Sequence, residues 1–467
     1  MTDTTVPGGS PWPLDQIQGF LLRGYRMSFA RHFALSITNL AAARSFIAHL
    51  TDPPSAALHI TSAMPWGVRP PDYCLNLGFT YAGLSTLKVS GADLAVLRND
   101  PNYSSFARGA KKQANALYET PNAEPDWVLD DTRFHVLLSI WTNSEEALNA
   151  RTDELRGLLA DGFAAPTKDT VWDAQALDDE MVYFGYRDGI AQPIIQGTPF
   201  SRQPDGEQDL VDPSAFMIGT GANIYQALRF SFDLYGCFGA FMVIRQDVEK
   251  FDAQIKQLAP QVGAMLQITD PTVQELALKA VFCGRWPNGT PLMTFPINGN
   301  DHPQSAPPSQ AIDNFRYGSD QGLVCPVGSH IRRANMRVNQ GEDGGAFQGS
   351  PSSSHRILRR AMPYQIPYLK DDRHSPKTER GLAGLFLGAS LLQQYELVLG
   401  SWINYQFASD STLSDPLVGI PTPGPVELPS PAFNESSAPV ESCVDIKVNA
   451  YIFFPGIAAI RAISMND

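Results

Sequence analysis

Phe134-His135-Val136-Leu137-Leu138-Ser139-Ile140-Trp141, followed at once by Thr142-Asn143-Ser144-Glu145-Glu146, is the stretch on which the fold is read. The first eight residues are aliphatic and aromatic enough to form a strongly buried strand. The polar cluster behind them is a helix-capping signal, and Leu148, Leu155, Leu158 and Leu159 then point one side of a helix inward. A buried strand running straight into an amphipathic helix repeats in both directions from here. Upstream, residues 33–37 read as a strand. Asn39 caps a helix carrying Ala41, Ala42, Phe46, Ile47 and Leu50, and residues 59–61 and 74–79 read as further strands before a helix that opens at Ala82-Gly83-Leu84.

The same alternation returns downstream. Residues 239–244 and 381–387 read as strands, 248–258, 274–282 and 391–399 as helices, and 444–454 as the closing strand. The fold class is α+β: two units of similar architecture, each with helices laid on a mostly antiparallel sheet. We expect a flexible tail over residues 1–15, an N-terminal domain over 16–195, a linker over 196–230 rich in Gly, Pro and Asp, and a C-terminal domain over 231–467. The Pro/Ser-rich run 421–442 interrupts the second unit shortly before its last strand and reads as a surface excursion.

Composition narrows the function classes. At 467 residues the chain exceeds what one hydrophobic core usually supports. Its 43% hydrophobic and 18% charged content is that of a globular protein, and its formal net charge of −13 argues against a nucleic-acid partner. The five cysteines, Cys74, Cys237, Cys283, Cys325 and Cys443, are widely spaced and odd in number, which suits neither a disulfide framework nor a thiolate metal site. No secretory signal is visible at the N-terminus, and no run reaches the roughly 18 apolar residues of a membrane span. A cytoplasmic protein with no membrane association is the expectation.

Three stretches carry candidate chemistry. In Cys325-Pro326-Val327-Gly328-Ser329-His330-Ile331-Arg332-Arg333-Ala334-Asn335-Met336-Arg337 a histidine precedes a dense basic run. Neutral imidazole is a common metal and haem ligand, and neighbouring arginines can pair with an anionic group. A lone histidine is, all the same, more often a surface or satisfied core residue, and the basic run alone is equally well a solvated loop. Gly185-Tyr186-Arg187-Asp188-Gly189-Ile190-Ala191-Gln192-Pro193 follows Met181-Val182-Tyr183-Phe184, which reads as an apolar strand. Glycine beside the aspartate permits a sharp turn and close approach of a flat ligand, although an isolated Asp-Gly is ordinarily just a turn. His355-Arg356-Ile357-Leu358-Arg359-Arg360-Ala361-Met362-Pro363-Tyr364 is either a charged helix face or a core element projecting an arginine into a pocket.

Taken together these residues resemble the dye-decolourising peroxidases, a haem family. Gly185-x-x-Asp188-Gly189 is similar to the family's GxxDG signature, residues 325–337 to its proximal-histidine segment, and Ile357-Leu358-Arg359 to its distal-arginine segment. Further likenesses are Ile17-Gln18-Gly19 with Arg23-Gly24-Tyr25, Gly78-Phe79-Thr80-Tyr81-Ala82-Gly83-Leu84, Gly284-Arg285-Trp286-Pro287-Asn288-Gly289-Thr290-Pro291-Leu292 and Tyr451-Ile452-Phe453-Phe454-Pro455. The resemblance runs from about residue 16 to the C-terminus.

It implies two ferredoxin-like units and one haem b, held mainly by the C-terminal unit. It also implies reduction of hydrogen peroxide through a ferryl intermediate, with oxidation of small aromatic one-electron donors such as phenols and dyes. By resemblance His330 is the axial iron ligand, Asp188 the distal acid–base residue and Arg359 the distal arginine, chosen over Arg356 and Arg360 by register. Gly189, Ile190, Ala191, Asn335, Met336 and Arg337 line the haem. Tyr364 and Trp402 are candidate electron relays, as aromatics that more often simply fill a core. A homo-oligomer is left open. The position matching the family's acid beside the proximal imidazole is Ser390, a hydroxyl, so the role falls to it or to a different acid. The rival reading is a haem-binding protein without turnover, for which Asp188 and Arg359 would be superfluous.

Overall fold

The computed structural model describes residues 12–465 except 53–57, 68, 119–126, 128, 130–131, 200–209, 221–223, 308–311, 319, 321, 338–351, 367–377, 405–413 and 420–439. The first unit runs through α1 (Gly19–Leu22), β1 (Phe29–Leu35), α2 (Leu40–His49), β2 (Tyr73–Phe79), α3 (Tyr81–Thr86), α4 (Gly91–Asn99), α5 (Ser104–Arg108), α6 (Ala110–Tyr118), β3 (Val136–Thr142), α7 (Glu145–Leu159) and β4 (Val171–Gln175). Two-residue strands β5 (Ile194–Ile195), at the end of the expected N-terminal domain, and β6 (Leu210–Val211), in the expected linker, pair in parallel. The second unit contains β7 (Cys237–Gln246), α8 (Val248–Met265), α9 (Pro271–Cys283), α10 (His330–Ala334), β8 (Leu358–Ile366), β9 (Glu379–Gly388), the π-helix Leu391–Ile403, β10 (Val444–Phe454) and α11 (Ile457–Met465).

One antiparallel sheet joins both units, in the order β4-β1-β3-β2-β10-β7-β9-β8. Counting strands within each half, both read fourth-first-third-second, which is the ferredoxin-like order. The α+β expectation of two ferredoxin-like units therefore holds, and the halves share a topology that their sequences do not display. At the seam between β2 and β10 only Phe453 and Phe79 pair in register. Gln18, wholly buried, closes the gap: its Nε2 donates to the carbonyls of Leu77 (2.8 Å) and Pro455 (2.9 Å), and its Oε1 accepts from Asn76 Nδ2 and Leu77 N (both 3.1 Å).

Alternation along each strand splits the core in two. Phe33, Val136, Leu138 and Ile140 face a helix-covered layer with Phe46, Ile47, Leu148 and Leu155. Ala30, Leu137, Trp141 and Trp172 face the other way and meet Phe241, Val243, Leu385 and Val448 of the second unit. Both faces of β3 are thus covered, which is why residues 134–141 lack a polar alternation. Asn39 and Ser144 cap α2 and α7 through Ala42 N (3.3 Å) and Ala147 N (3.1 Å), as the sequence suggests.

Two strand expectations fail. Residues 59–61 form no strand: Thr61 N bonds Leu75 O (2.8 Å) as an irregular segment beside β2. Residues 181–184 make a tight turn closed by a single bridge between Met181 and Arg187, with Gly185 N bonded to Val182 O (2.8 Å). Phe184 is buried against α8 and α9, and Val182 packs on the same cluster, rather than within a sheet. Most of the Pro/Ser-rich run lies outside the described residues. All five cysteines are buried and free, and among the described residues no helix is long and apolar enough to cross a membrane.

Candidate active site

Helix α9 carries both halves of the site. Its Asp270 N-cap accepts from Thr272 N (2.8 Å), Pro271 starts it, and Gly284 ends it in the left-handed conformation (φ 86°). A Cβ at Gly284 would sit 2.6 Å from Ile331 Cγ1, so glycine lets the helix end press against the segment bearing His330. Ser329 Oγ donates to Val281 O (2.6 Å) and fixes the residue before His330 on α9. Two residues earlier along the same helix, Lys279 O accepts from Tyr186 Oη (3.0 Å), and Phe184 stacks on Phe251 of α8 with ring centroids 4.3 Å apart. The turn preceding Asp188 is thereby docked on the same platform.

His330 is the first residue of α10. Its Nδ1 lies 2.8 Å from Asp415 Oδ2. The Asp415 side chain is fully buried, whereas 30% of the His330 side chain is open. The second carboxylate oxygen of Asp415 accepts from Leu417 N (2.8 Å) and Val418 N (3.1 Å), and Asp415 N donates to Ile403 O (2.8 Å) at the end of the π-helix. Burial by itself pushes the His330 pKa down, but the Asp415 carboxylate outweighs it and the net direction is up from 6.5. For Asp415 burial pushes upward, and the His330 imidazole overrides it and holds the carboxyl below 3.8. With Nδ1 committed to a carboxylate, Nε2 is the nitrogen left to face outward.

Asp415 is the acid that sequence reasoning did not find. Ser390 instead caps the π-helix, its Oγ accepting from Gln393 N (3.2 Å). The 85-residue separation between His330 and Asp415 carries no spacing signal. The only local sign is an aspartate before Pro416 in a turn-prone run, and that marks the turn rather than its partner.

Asp188 and Gly189 are exposed, and Gly189 is left-handed (φ 74°). Asp188 N bonds Glu180 O (2.8 Å) and Arg187 N bonds Pro287 O (2.9 Å), so the turn 286–289 buttresses this loop from below. Arg359 lies on β8, a strand rather than a helix face, and its Nη2 donates to Ile190 O (2.8 Å). Arg360, next in the strand, points oppositely and donates through Nε to Phe20 O (2.7 Å). Burial pulls the Arg360 pKa down to about 10. Asp188 and Arg359 both lie close enough to bear electrostatically on the His330 imidazole, the first raising and the second lowering its pKa. One carboxylate, one guanidinium and one imidazole therefore share a neighbourhood, although they come from positions 188, 359 and 330.

The basic run after His330 is occupied by the protein itself. Arg332 holds Asp320 (2.7 Å) and Cys325 O (2.6 Å), and Arg333, fully buried, holds Trp402 O (2.8 Å). Arg337 pairs with Asp313, which also takes Arg285 (2.8 Å), and stacks over Phe315. The expectation of a basic patch poised for an anionic group gives way to arginines that stitch loops together, because carboxylates and carbonyls distant in sequence meet them. Met336 joins Val398, Trp402 and Ile403 in an apolar cluster against which Val327 and Ile357 pack. Trp402 is buried within it, and buried Tyr364 donates to Glu379 Oε1 (3.0 Å).

No family model matches the chain. Among curated proteins it is 26% identical to the dye-decolorizing peroxidase AauDyP1 of Auricularia auricula-judae, over 96% of this chain and 86% of that one. It is also 26% identical to the multifunctional dye peroxidase DyP2 of an Amycolatopsis strain, over 98% and 97%. The crystal structure of a fungal DyP-type peroxidase from Auricularia auricula-judae superposes with a TM-score of 0.78 at 23% identity, covering 98% of this chain and 100% of that one, so the fold is shared.

Proposed function

Because the chain belongs to the dye-decolourising peroxidase family, we propose that it is a haem-dependent peroxidase that reduces hydrogen peroxide and oxidises phenolic or dye-like one-electron donors. The observation that carries this reading is the His330 imidazole, deeply set yet partly open. It is tied at Nδ1 to a buried carboxylate and has Asp188 and Arg359 within electrostatic reach.

The residues present fit haem. His330 would hold the iron through Nε2, and its hydrogen bond to Asp415 would give the ring anionic character that raises its basicity as a ligand. The cluster around Met336 supplies an apolar wall. Gly189, Ile190 and Ala191 on one side, and Asn335 and Met336 on the other, are the lining residues of this proposal. Arg337 belongs to the lining through its backbone and stem, since its guanidinium is spent on Asp313. When bound, the iron porphyrin supplies the two reducing equivalents that O–O cleavage consumes and regains them one at a time from aromatic donors.

The chain's own residues handle the protons. Asp188 takes a proton from the near oxygen of the peroxide and returns it to the far oxygen, which leaves as water. Arg359 stabilises negative charge developing on that departing oxygen, because a guanidinium has five N–H groups and Ile190 accepts from only one. A haem carrier needs neither residue. The test is an absorption spectrum of protein produced with adequate iron, before and after one equivalent of hydrogen peroxide. A Soret band that shifts fast and stoichiometrically is expected. No band after haem addition, or a band indifferent to peroxide, overturns the proposal.

A further inference from the structure

The peptide directly after Asp188 is held in a conformation that its own sequence does not favour. Ala191 is left-handed (φ 61°), a region that residues with a Cβ avoid unless their surroundings impose it. Those surroundings are the leading end of β8 and the residues before it. Ile190 O accepts from Arg359 Nη2 (2.8 Å), Ala191 O from Arg356 Nη2 (2.9 Å), and Gln192 Oε1 from Arg359 N (3.1 Å). Three consecutive residues are thus bonded to two arginines three positions apart.

Arg356 is anchored in its turn. Its carbonyl accepts from Gln394 Nε2 (2.6 Å). Gln394, almost fully buried at the start of the π-helix, also donates to Ala215 O (2.8 Å) and accepts from Ser390 N (2.9 Å). A continuous set of bonds therefore leads from the π-helix through Arg356 to Ala191, three residues beyond the exposed Asp188.

We infer that Arg356 and Gln192 are positioning residues for the peroxide reaction: they hold Ile190-Ala191-Gln192 against β8 and so fix the Asp188 carboxylate relative to the Arg359 guanidinium. The inference rests on the peroxidase reading for its chemistry, but the clamp itself is a property of the polypeptide. A residue acting this way alters the rate of the peroxide step without altering the proximal ligand, because the separation of two catalytic groups governs that step steeply.

The experiment compares haem-loaded full-length chain with apoprotein. In Arg356→Leu and in Gln192→Leu the second-order rate of the peroxide-induced Soret change falls about 10- to 100-fold, while resting spectrum and haem content match the parent. In the apoprotein, backbone amide exchange over residues 186–196 accelerates in both variants and exchange over α9 does not. Adding Ala191→Gly to Arg356→Leu recovers at least half of the lost rate on a logarithmic scale, since glycine adopts the left-handed conformation unaided. Should Arg356→Leu not fold, Arg356→Lys, which keeps a long donor, reacts faster than Arg356→Gln. Parent rates in both leucine variants, a loss matched by lower haem content, no recovery with glycine, or equal rates for lysine and glutamine would each overturn the inference. A parent chain that ignores peroxide sinks the peroxidase reading, whereas a reactive parent with indifferent variants sinks the clamp alone.

Discussion

Replacing Asp415 tests the tie between the imidazole and the rest of the fold. Its carboxylate accepts three hydrogen bonds, from His330 Nδ1, Leu417 N and Val418 N, with no exposed side-chain surface. Asp415→Ala removes both acceptor oxygens, and with them all three bonds, and leaves the imidazole and two backbone N–H groups without this partner. Breaking a buried pair by deleting one partner costs about 3–5 kcal/mol, and that is the expected destabilisation of the apoprotein. The pH dependence follows from the two shifts. The His330 contribution is fully present below 6.5 and is lost as pH rises through its raised folded pKa. The Asp415 contribution is present above 3.8 and is lost as pH falls through its depressed folded pKa. The pair therefore stabilises most between 3.8 and 6.5, so urea unfolding followed by tryptophan fluorescence should give its largest Asp415→Ala difference near pH 5 and a smaller one at alkaline pH. Asp415→Asn keeps an acceptor for the two backbone N–H groups and costs about 1–2 kcal/mol. Its amide turned toward Nδ1 moves the ring proton to Nε2, and haem affinity drops about 10- to 100-fold in a titration. A loss below about 1 kcal/mol for Asp415→Ala at pH 5, or an equal loss at both pH values, refutes the reasoning.

The remaining predictions follow from single contacts. His330→Ala abolishes stable haem incorporation, read as absence of a Soret band after reconstitution; a normal band means another residue is the ligand. Asp188→Asn slows the peroxide step by about 10²–10⁴-fold in stopped flow, and an unchanged rate moves the proton transfer elsewhere. Gln18→Leu leaves the carbonyls of Leu77 and Pro455 unpaired at the seam of the sheet and lowers unfolding free energy by about 3 kcal/mol; a change under about 1 kcal/mol means the seam does not depend on it. His32, buried between Trp141 and Phe241 with Ser139 Oγ 2.7 Å from Nδ1, has its pKa lowered by burial from 6.5 to about 4. Its neutral form is the folded one, so stability falls as pH drops below 6.5, by up to about 3 kcal/mol near pH 4. In His32→Leu that part of the acid sensitivity disappears from urea midpoints measured across this range.

Local chemistry made a good deal of the molecule legible. Residues 134–141 read as a buried strand, Asn39 and the cluster holding Ser144 read as helix starts, and residues 444–454 read as the last strand, although that strand lies in the middle of the sheet rather than closing it. Motif order also nominated His330, Asp188 and Arg359. What it could not supply was any partner distant in the chain. Residues 181–184 look like a strand because they are apolar, but Val182 and Phe184 are apolar to pack on α8 and α9. Arg332, Arg333 and Arg337 look like an anion site until Asp320, Trp402 O and Asp313 are brought to them.

The sequence by itself determined the elements and the short motifs, because caps, hydrophobic periodicity and glycine placement act over a few residues. Only the tertiary structure decided that Asp415 rather than Ser390 faces His330, that Arg359 and Arg360 point oppositely, and that Arg356 and Gln192 grip the peptide after Asp188. The reason is that hydrogen bonds and ion pairs depend on distance in space, and chain closure over tens to hundreds of residues leaves no periodic trace in the residues it joins.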